Sequence, residues 1–222
     1  MTALLPIAAA LLAATSTPKV GAFHGVDIGS GFEANIARGA TASVTIEADE
    51  KTLKDIEVKV DDGTLKVGMK SGFHFFKHTG KVVVSVVTPN LDAISGSGGS
   101  TIKAVFTPAK KCDVSGSGGS TMTISSLACE ELVIDLSGGS HLDAVGHAQK
   151  IKVEASGGSH AGIRQVPAAE VSVEGSGGSE IRTFASRGLK ADLSGGSELY
   201  VAGKPAQRSV EASGGAQIID ID

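Results

Sequence analysis

From residue 97 onward, apolar and polar residues alternate on both sides of a recurring Ser-Gly-Gly. The motif begins at Ser97, Ser117, Ser137, Ser156, Ser176, Ser194 and Ser213. Three positions before it stand Ile94, Val114, Ile134, Val153, Val173, Ala191 and Val210. Five after it stand Ile102, Met122, Leu142, Ala161, Ile181, Leu199 and Ile218. The residues between these columns are polar, and Ser95, Ser115, Asp135, Glu154, Glu174, Asp192 and Glu211 lie two before the motif. Alternation with period two is the mark of a strand with one buried face. Each unit therefore predicts strand, bend, strand.

The motif serines are 20, 20, 19, 20, 18 and 19 residues apart, a period that belongs to stacked repeats. Gly-Gly in every unit excludes helical repeats. The pattern predicts an all-β, single-stranded, right-handed parallel β-helix, a solenoid with coils of about 20 residues and about three short strands each. Equivalent columns then stack at about 4.8 Å. Tandem hairpins in a β-sandwich are the alternative. The motif glycines fit sharp corners, and the inward serines Ser100, Ser120, Ser140, Ser159, Ser179 and Ser197 are expected to form a ladder in which each hydroxyl bonds its neighbour.

Residues 23–96 lack the motif but continue the strand pattern. "DIEVKVDDGTLKVGMK" reads as a hairpin turning at Asp62-Gly63. Val82 to Val87 are apolar on both faces and are expected to be buried on both. One domain over 23–222 is predicted, with an irregular first part (23–96) and the repeat coils (97–222).

Composition narrows the function classes. Among 222 residues there is no Trp and one Tyr, so the core must be built from aliphatic residues. A net charge of −4 without a basic patch argues against a nucleic-acid partner. The first sixteen residues, "MTALLPIAAALLAATS", are apolar and uncharged and read as a secretory signal peptide. They are too few to cross a bilayer. The expectation is an exported protein (periplasmic, surface-bound or secreted) with no transmembrane span in the mature chain.

"AFHGVDIGSGFEANIARGATASVTIEADEKTLKDIEVKVDDGTLKVGMKSG", "VVVSVVTPNLDAISGSGGSTI" and the later Ser-Gly-Gly coils resemble the bacterial GIN domain, a domain of unknown function described as an auto-transporter adhesin head. The resemblance covers nearly everything after residue 22. It implies a right-handed β-helix of the bacterial cell envelope. No segment resembles a membrane-embedded C-terminal barrel, so self-export as an autotransporter is not supported.

Candidate chemistry lies in two outward columns and one loop. After the motif come Thr101, Thr121, His141, His160, Glu180, Glu198 and Gln217. Stacking brings His141 and His160 about 5 Å apart with Glu180 and Glu198 continuing the row. Two imidazoles and a carboxylate suit Zn or Cu, and a solvated polar face is the alternative. Asp135, Glu154 and Glu174 on consecutive coils are candidate ligands for a divalent cation such as Ca²⁺, again against a solvated acidic face. Phe75 and Phe76, in "SGFHFFKHTGK", either touch a partner or cap the core. Cys112 and Cys129 lie one coil apart and three positions out of step, and a disulfide is possible if the corner closes that gap.

Few aromatics accompany the acidic column, and neither a nucleophile elbow nor a phosphate loop is present. The sequence thus points to a non-catalytic, exported, adhesin-like binding module that needs no cofactor. Its extended faces would meet a glycan, an envelope polymer or a protein. A polysaccharide-active lyase or hydrolase and a self-assembling envelope protein are the alternatives. Asp220 and Asp222 in the last strand would discourage end-to-end growth, leaving a monomer or weak oligomer.

Overall fold

The computed structural model describes residues 14–70 and 80–221. It is a parallel β-solenoid in which each coil supplies one strand to each of two sheets, rather than three short strands. Sheet A contains β3 (Glu33–Arg38), β9 (Thr101–Val105), β11 (Thr121–Ser126), β13 (His141–Val145), β15 (His160–Gln165), the first part of β17 (Glu180–Leu193), β18 (Glu198–Ala202) and β20 (Gln217–Asp220). Sheet B contains β2 (Gly25–Ile28), β8 (Ala93–Gly96), β10 (Ala109–Gly116), β12 (Ala128–Leu136), β14 (His147–Ala155), β16 (Ala168–Gly175), the second part of β17, and β19 (Gln207–Ala212). The register is that of the motif columns: Ile134 pairs with Val114 and Val153, and Leu142 with Met122 and Ala161.

The inward columns are the core. Ile102, Met122, Leu142, Ala161, Ile181 and Leu199 are fully buried, and so are Ile134 and Val153. Burying each Val, Leu or Ile contributes about 1.5–3 kcal/mol relative to exposure. Val210, in the same column on the last coil, is 43% exposed because no later coil covers it among the described residues.

The Ser-Gly-Gly corner joins sheet B to sheet A. At Gly157 the backbone has φ +71°, and a Cβ would stand 2.7 Å from the Gly138 carbonyl oxygen of the coil beside it. The next amide, that of Gly158, donates to that same oxygen at 2.7 Å. The ladder expected of the inward serines does not form. Ser140 donates to the carbonyls of Ser137 (2.9 Å) and Gly116 (3.2 Å), and Ser197 to those of Ser194 and Gly175. The hydroxyls of Ser100, Ser120, Ser159 and Ser179 are buried without a protein partner. Where an inward hydroxyl is bonded, its acceptors are carbonyls of its own turn and of the coil beside it, not the neighbouring serine.

The first part of the chain closes the stack. β2 lies between β8 and β6 (Thr64–Met69), and β3 between β9 and β7 (Val83–Thr88). Antiparallel strands then finish both sheets: β5 (Ile56–Asp61) hairpins onto β6 through Asp62-Gly63, and β4 (Ser43–Ala48) pairs with β7. Both turn residues have positive φ, as the hairpin reading requires. Ser85 of β7 is exposed, so this strand alternates like the others and is not buried on both faces. Residues 50–55, expected to be strand, form a short helix, α1 (Glu50–Asp55). Asp49 caps it by accepting from the amides of Lys51 and Thr52. Ala14–Ser16 forms β1, antiparallel to β4. The end of the segment expected to be removed on export is thus part of sheet A, while residues 1–13 lie outside the described residues. No described helix is long and apolar enough to cross a membrane.

Candidate functional site

Two outward columns of sheet A carry a connected set of polar side chains. His141, His160, Glu180 and Glu198 are in register on successive coils, as expected. The imidazoles of His141 and His160 stack with centroids 4.6 Å apart and planes within 5°. Two carboxylates meet the rings, Glu180 from the expected row and Asp143 from the next column. Asp143, two residues beyond His141 on the same face, accepts from or shares a proton with His141 Nε2 at 2.8 Å. Glu180 lies 3.5 Å from His160 Nδ1 and accepts from Arg182 Nε at 2.6 Å. Glu198 is further away and accepts from the Tyr200 hydroxyl at 2.7 Å, and Arg182 stacks 4.9 Å over the Tyr200 ring.

Gly162 opens this cluster. It pairs with Asp143 in the outward column, and a Cβ there would stand 2.2 Å from Asp143 Oδ1 and 3.4 Å from His160 Nε2. Among the described residues, His141, Asp143 and His160 form the set of three donor side chains whose ligand atoms lie within 4.8 Å of one another. Burial holds the His160 imidazole below the ordinary histidine range, with Glu180 opposing that shift. Neither Asp143 nor Gly162 stood out in the sequence. The signal was there, because both fall in the column two beyond the histidines, and Gly162 replaces the side chain found there on the other coils.

The outward face of sheet B carries two parallel lanes. Asp135, Glu154, Glu174 and Asp192 are in register and line an open groove of 420 Å³ together with corner serines. Burial, and then the charge of Glu154, raise the Asp135 carboxyl above its ordinary pKa. Lys152 bonds Glu154 on the same strand. The second groove, of 540 Å³, crosses five coils and is lined by Lys150, Lys152, Lys190 and Arg208, with Glu131 and Glu170 in register on either side of Lys150 and Arg208 bonded to Asp220.

A family model described as "Putative auto-transporter adhesin, head GIN domain" matches residues 22–205. The chain belongs to this GIN domain family. No functionally curated protein matches it significantly. Solved structures share the GIN domain fold. A "putative adhesin" from Bacteroides fragilis superposes with a TM-score of 0.86 at 21% identity, over 95% of this chain and 97% of that one. A "putative lipid binding protein" from Parabacteroides distasonis gives 0.72 at 15% identity, over 95% and 97%. A "putative adhesin" from Parabacteroides merdae gives 0.68 at 16% identity, over 95% and 96%.

Phe75 and Phe76 lie outside the described residues. Cys112 and Cys129 are both buried and unbridged. Cys112 is level with Leu132, and Cys129 with Ala109, so the offset of three positions persists. The hydrogen bond with Cys129 and burial both push the Cys112 thiol upward.

Proposed function

We propose that this GIN domain is an exported, non-catalytic, adhesin-like module that binds an envelope polymer bearing anionic groups, such as an acidic glycan, along the outward face of sheet B. The observation that carries this reading is the pair Lys150 on β14 and Lys190 on β17, which line the longer groove with Lys152, while Arg208 at its far end is bonded to Asp220. Lys150 and Lys190 hold no ion pair among the described residues. Lys150 and Lys190 stand two coils apart, so a linear polymer can meet both at once, and each weak contact adds to the next. The neighbouring acidic lane fixes the position of such a polymer by repelling it from one side. The groove is open along its length, which suits a chain passing through rather than a small molecule being enclosed.

The test is binding to a panel of acidic and neutral polysaccharides, with product release followed in the same samples. Salt-sensitive binding that Lys150→Gln/Lys190→Gln weakens at least ~10-fold is the expected result. Turnover that disappears in Asp135→Asn/Glu154→Gln/Glu174→Gln would replace the binding module with a polysaccharide-active enzyme.

A further inference from the structure

The geometry points to His141, Asp143 and His160 as the three protein ligands of a divalent transition-metal site of the zinc class, with the ion seated over Gly162. This goes beyond the polymer-binding reading, and it lies on the other sheet.

Four observations converge. The ligand atoms lie within 4.8 Å of one another, and His141 Nε2 and Asp143 Oδ2 are already at 2.8 Å. In a tetrahedral zinc site, with Zn–N near 2.1 Å, ligand atoms stand about 3.3 Å apart. Side-chain rotation alone closes the remaining gap, because all three groups are on the surface side of rigid strands. Second, the position that would block the site is a glycine. A Cβ on residue 162 would meet Asp143 Oδ1 at 2.2 Å and His160 Nε2 at 3.4 Å. Glycine inside a strand weakens it by roughly 0.5–1 kcal/mol and marks a close approach.

Third, His160 is oriented for ligation. Glu180 lies on its Nδ1 side at 3.5 Å, and Arg182 holds Glu180 at 2.6 Å. A carboxylate on that side favours the proton on Nδ1 and leaves the Nε2 lone pair free, the tautomer that metal-bound histidines share once the Nδ1 hydrogen bond closes. Fourth, the donor set is selective. Two imidazoles and one carboxylate suit Zn²⁺, Cu²⁺ or Ni²⁺, whereas Mg²⁺ and Ca²⁺ take oxygen donors. Three protein ligands leave one position open toward solvent, for water or for a donor from a bound partner.

The experiment is calorimetric titration of the metal-free full chain with Zn²⁺, with Mg²⁺ as a parallel arm and imidazole NMR as a second readout. One Zn²⁺ per chain is expected, with no response to Mg²⁺. The signals of His141 and His160 should move while those of the other four histidines, His24, His74, His78 and His147, stay. Asp143→Asn and His160→Gln should each weaken binding at least ~10-fold, and Glu180→Gln about 10-fold through lost orientation. Gly162→Ala keeps every ligand, and its methyl displaces only the end of the Asp143 side chain, so it should weaken Zn²⁺ binding with the melting temperature nearly unchanged. No Zn²⁺ uptake by the wild type would overturn the site, as would wild-type affinity in both Asp143→Asn and His160→Gln, or shifts confined to the other four histidines.

Discussion

The amide of Gly158 donates to the carbonyl of Gly138 on the adjacent coil at 2.7 Å, backbone to backbone at the corner where sheet B turns into sheet A. That approach is open only because Gly157, with φ +71°, carries no side chain facing Gly138. Gly157→Ala should therefore lower unfolding free energy by about 2–3 kcal/mol, combining left-handed strain with the lost contact. Gly139→Ala has nothing within 4 Å of the added methyl and lacks positive φ, so it should change stability by less than about 1 kcal/mol. Denaturant melts of the two variants check the contrast. Equal losses would mean that the corner does not depend on close coil approach.

The inward serines divide into two classes. Removing the Ser140 hydroxyl deletes bonds to two carbonyls, so Ser140→Ala should cost about 1 kcal/mol. Removing that of Ser159 deletes a buried group with no protein partner, so Ser159→Ala should be neutral or stabilising. Thermal melts of both read the difference directly.

Asp135 gives the acid-range behaviour. Its carboxyl pKa is raised in the folded state above its ordinary 3.8 by burial and by Glu154. The folded state therefore holds the proton more tightly than the unfolded state between 3.8 and the raised value. Stability from this group is fully present below that window and is lost as pH rises through it. Asp135→Asn should stabilise the chain at pH 7, by less than about 1 kcal/mol because the group is exposed. That gain should vanish near pH 3.5. Melting curves of both proteins across pH 3–7 show whether the difference closes.

The thiol count tests the cysteine pair. Cys112 and Cys129 are buried and unbridged, with their thiols close enough to shift one another's pKa in opposite directions. Chain purified without reductant should show no thiol reaction while folded and two reactive thiols on denaturation. Zero thiols after denaturation would mean that the corner rearranges to bridge them.

Most of the coil architecture was legible because one short motif recurs in a fixed phase with alternating residues. Ile134 and Leu142 are assigned to the core, and His141 to the row of His160, by counting from the nearest serine. The closing strands were less legible. α1 depends on a local cap at Asp49, and the sheet B order places β2 between β6 and β8, which no periodicity encodes. At the site, stacking put His141 over His160, but the row alone offered Glu180 and Glu198 as the accompanying carboxylates. Which carboxylate reaches the rings depends on side-chain direction within the pleat, and there Asp143 lies beside them because Gly162 leaves room.

The central claim is that the lysine lane of sheet B binds a polymer lengthwise. Titration with size-graded oligomers of an acidic envelope polysaccharide tests it most directly. From Lys150 on β14 to Arg208 on β19 the cations cover three inter-strand steps of about 4.8 Å, or roughly 14 Å. Affinity should rise with oligomer length until the ligand spans that distance and then level off, and Lys150→Gln/Lys190→Gln should flatten the rise. Affinity that does not depend on length, or a length dependence that the double variant leaves intact, would contradict the account.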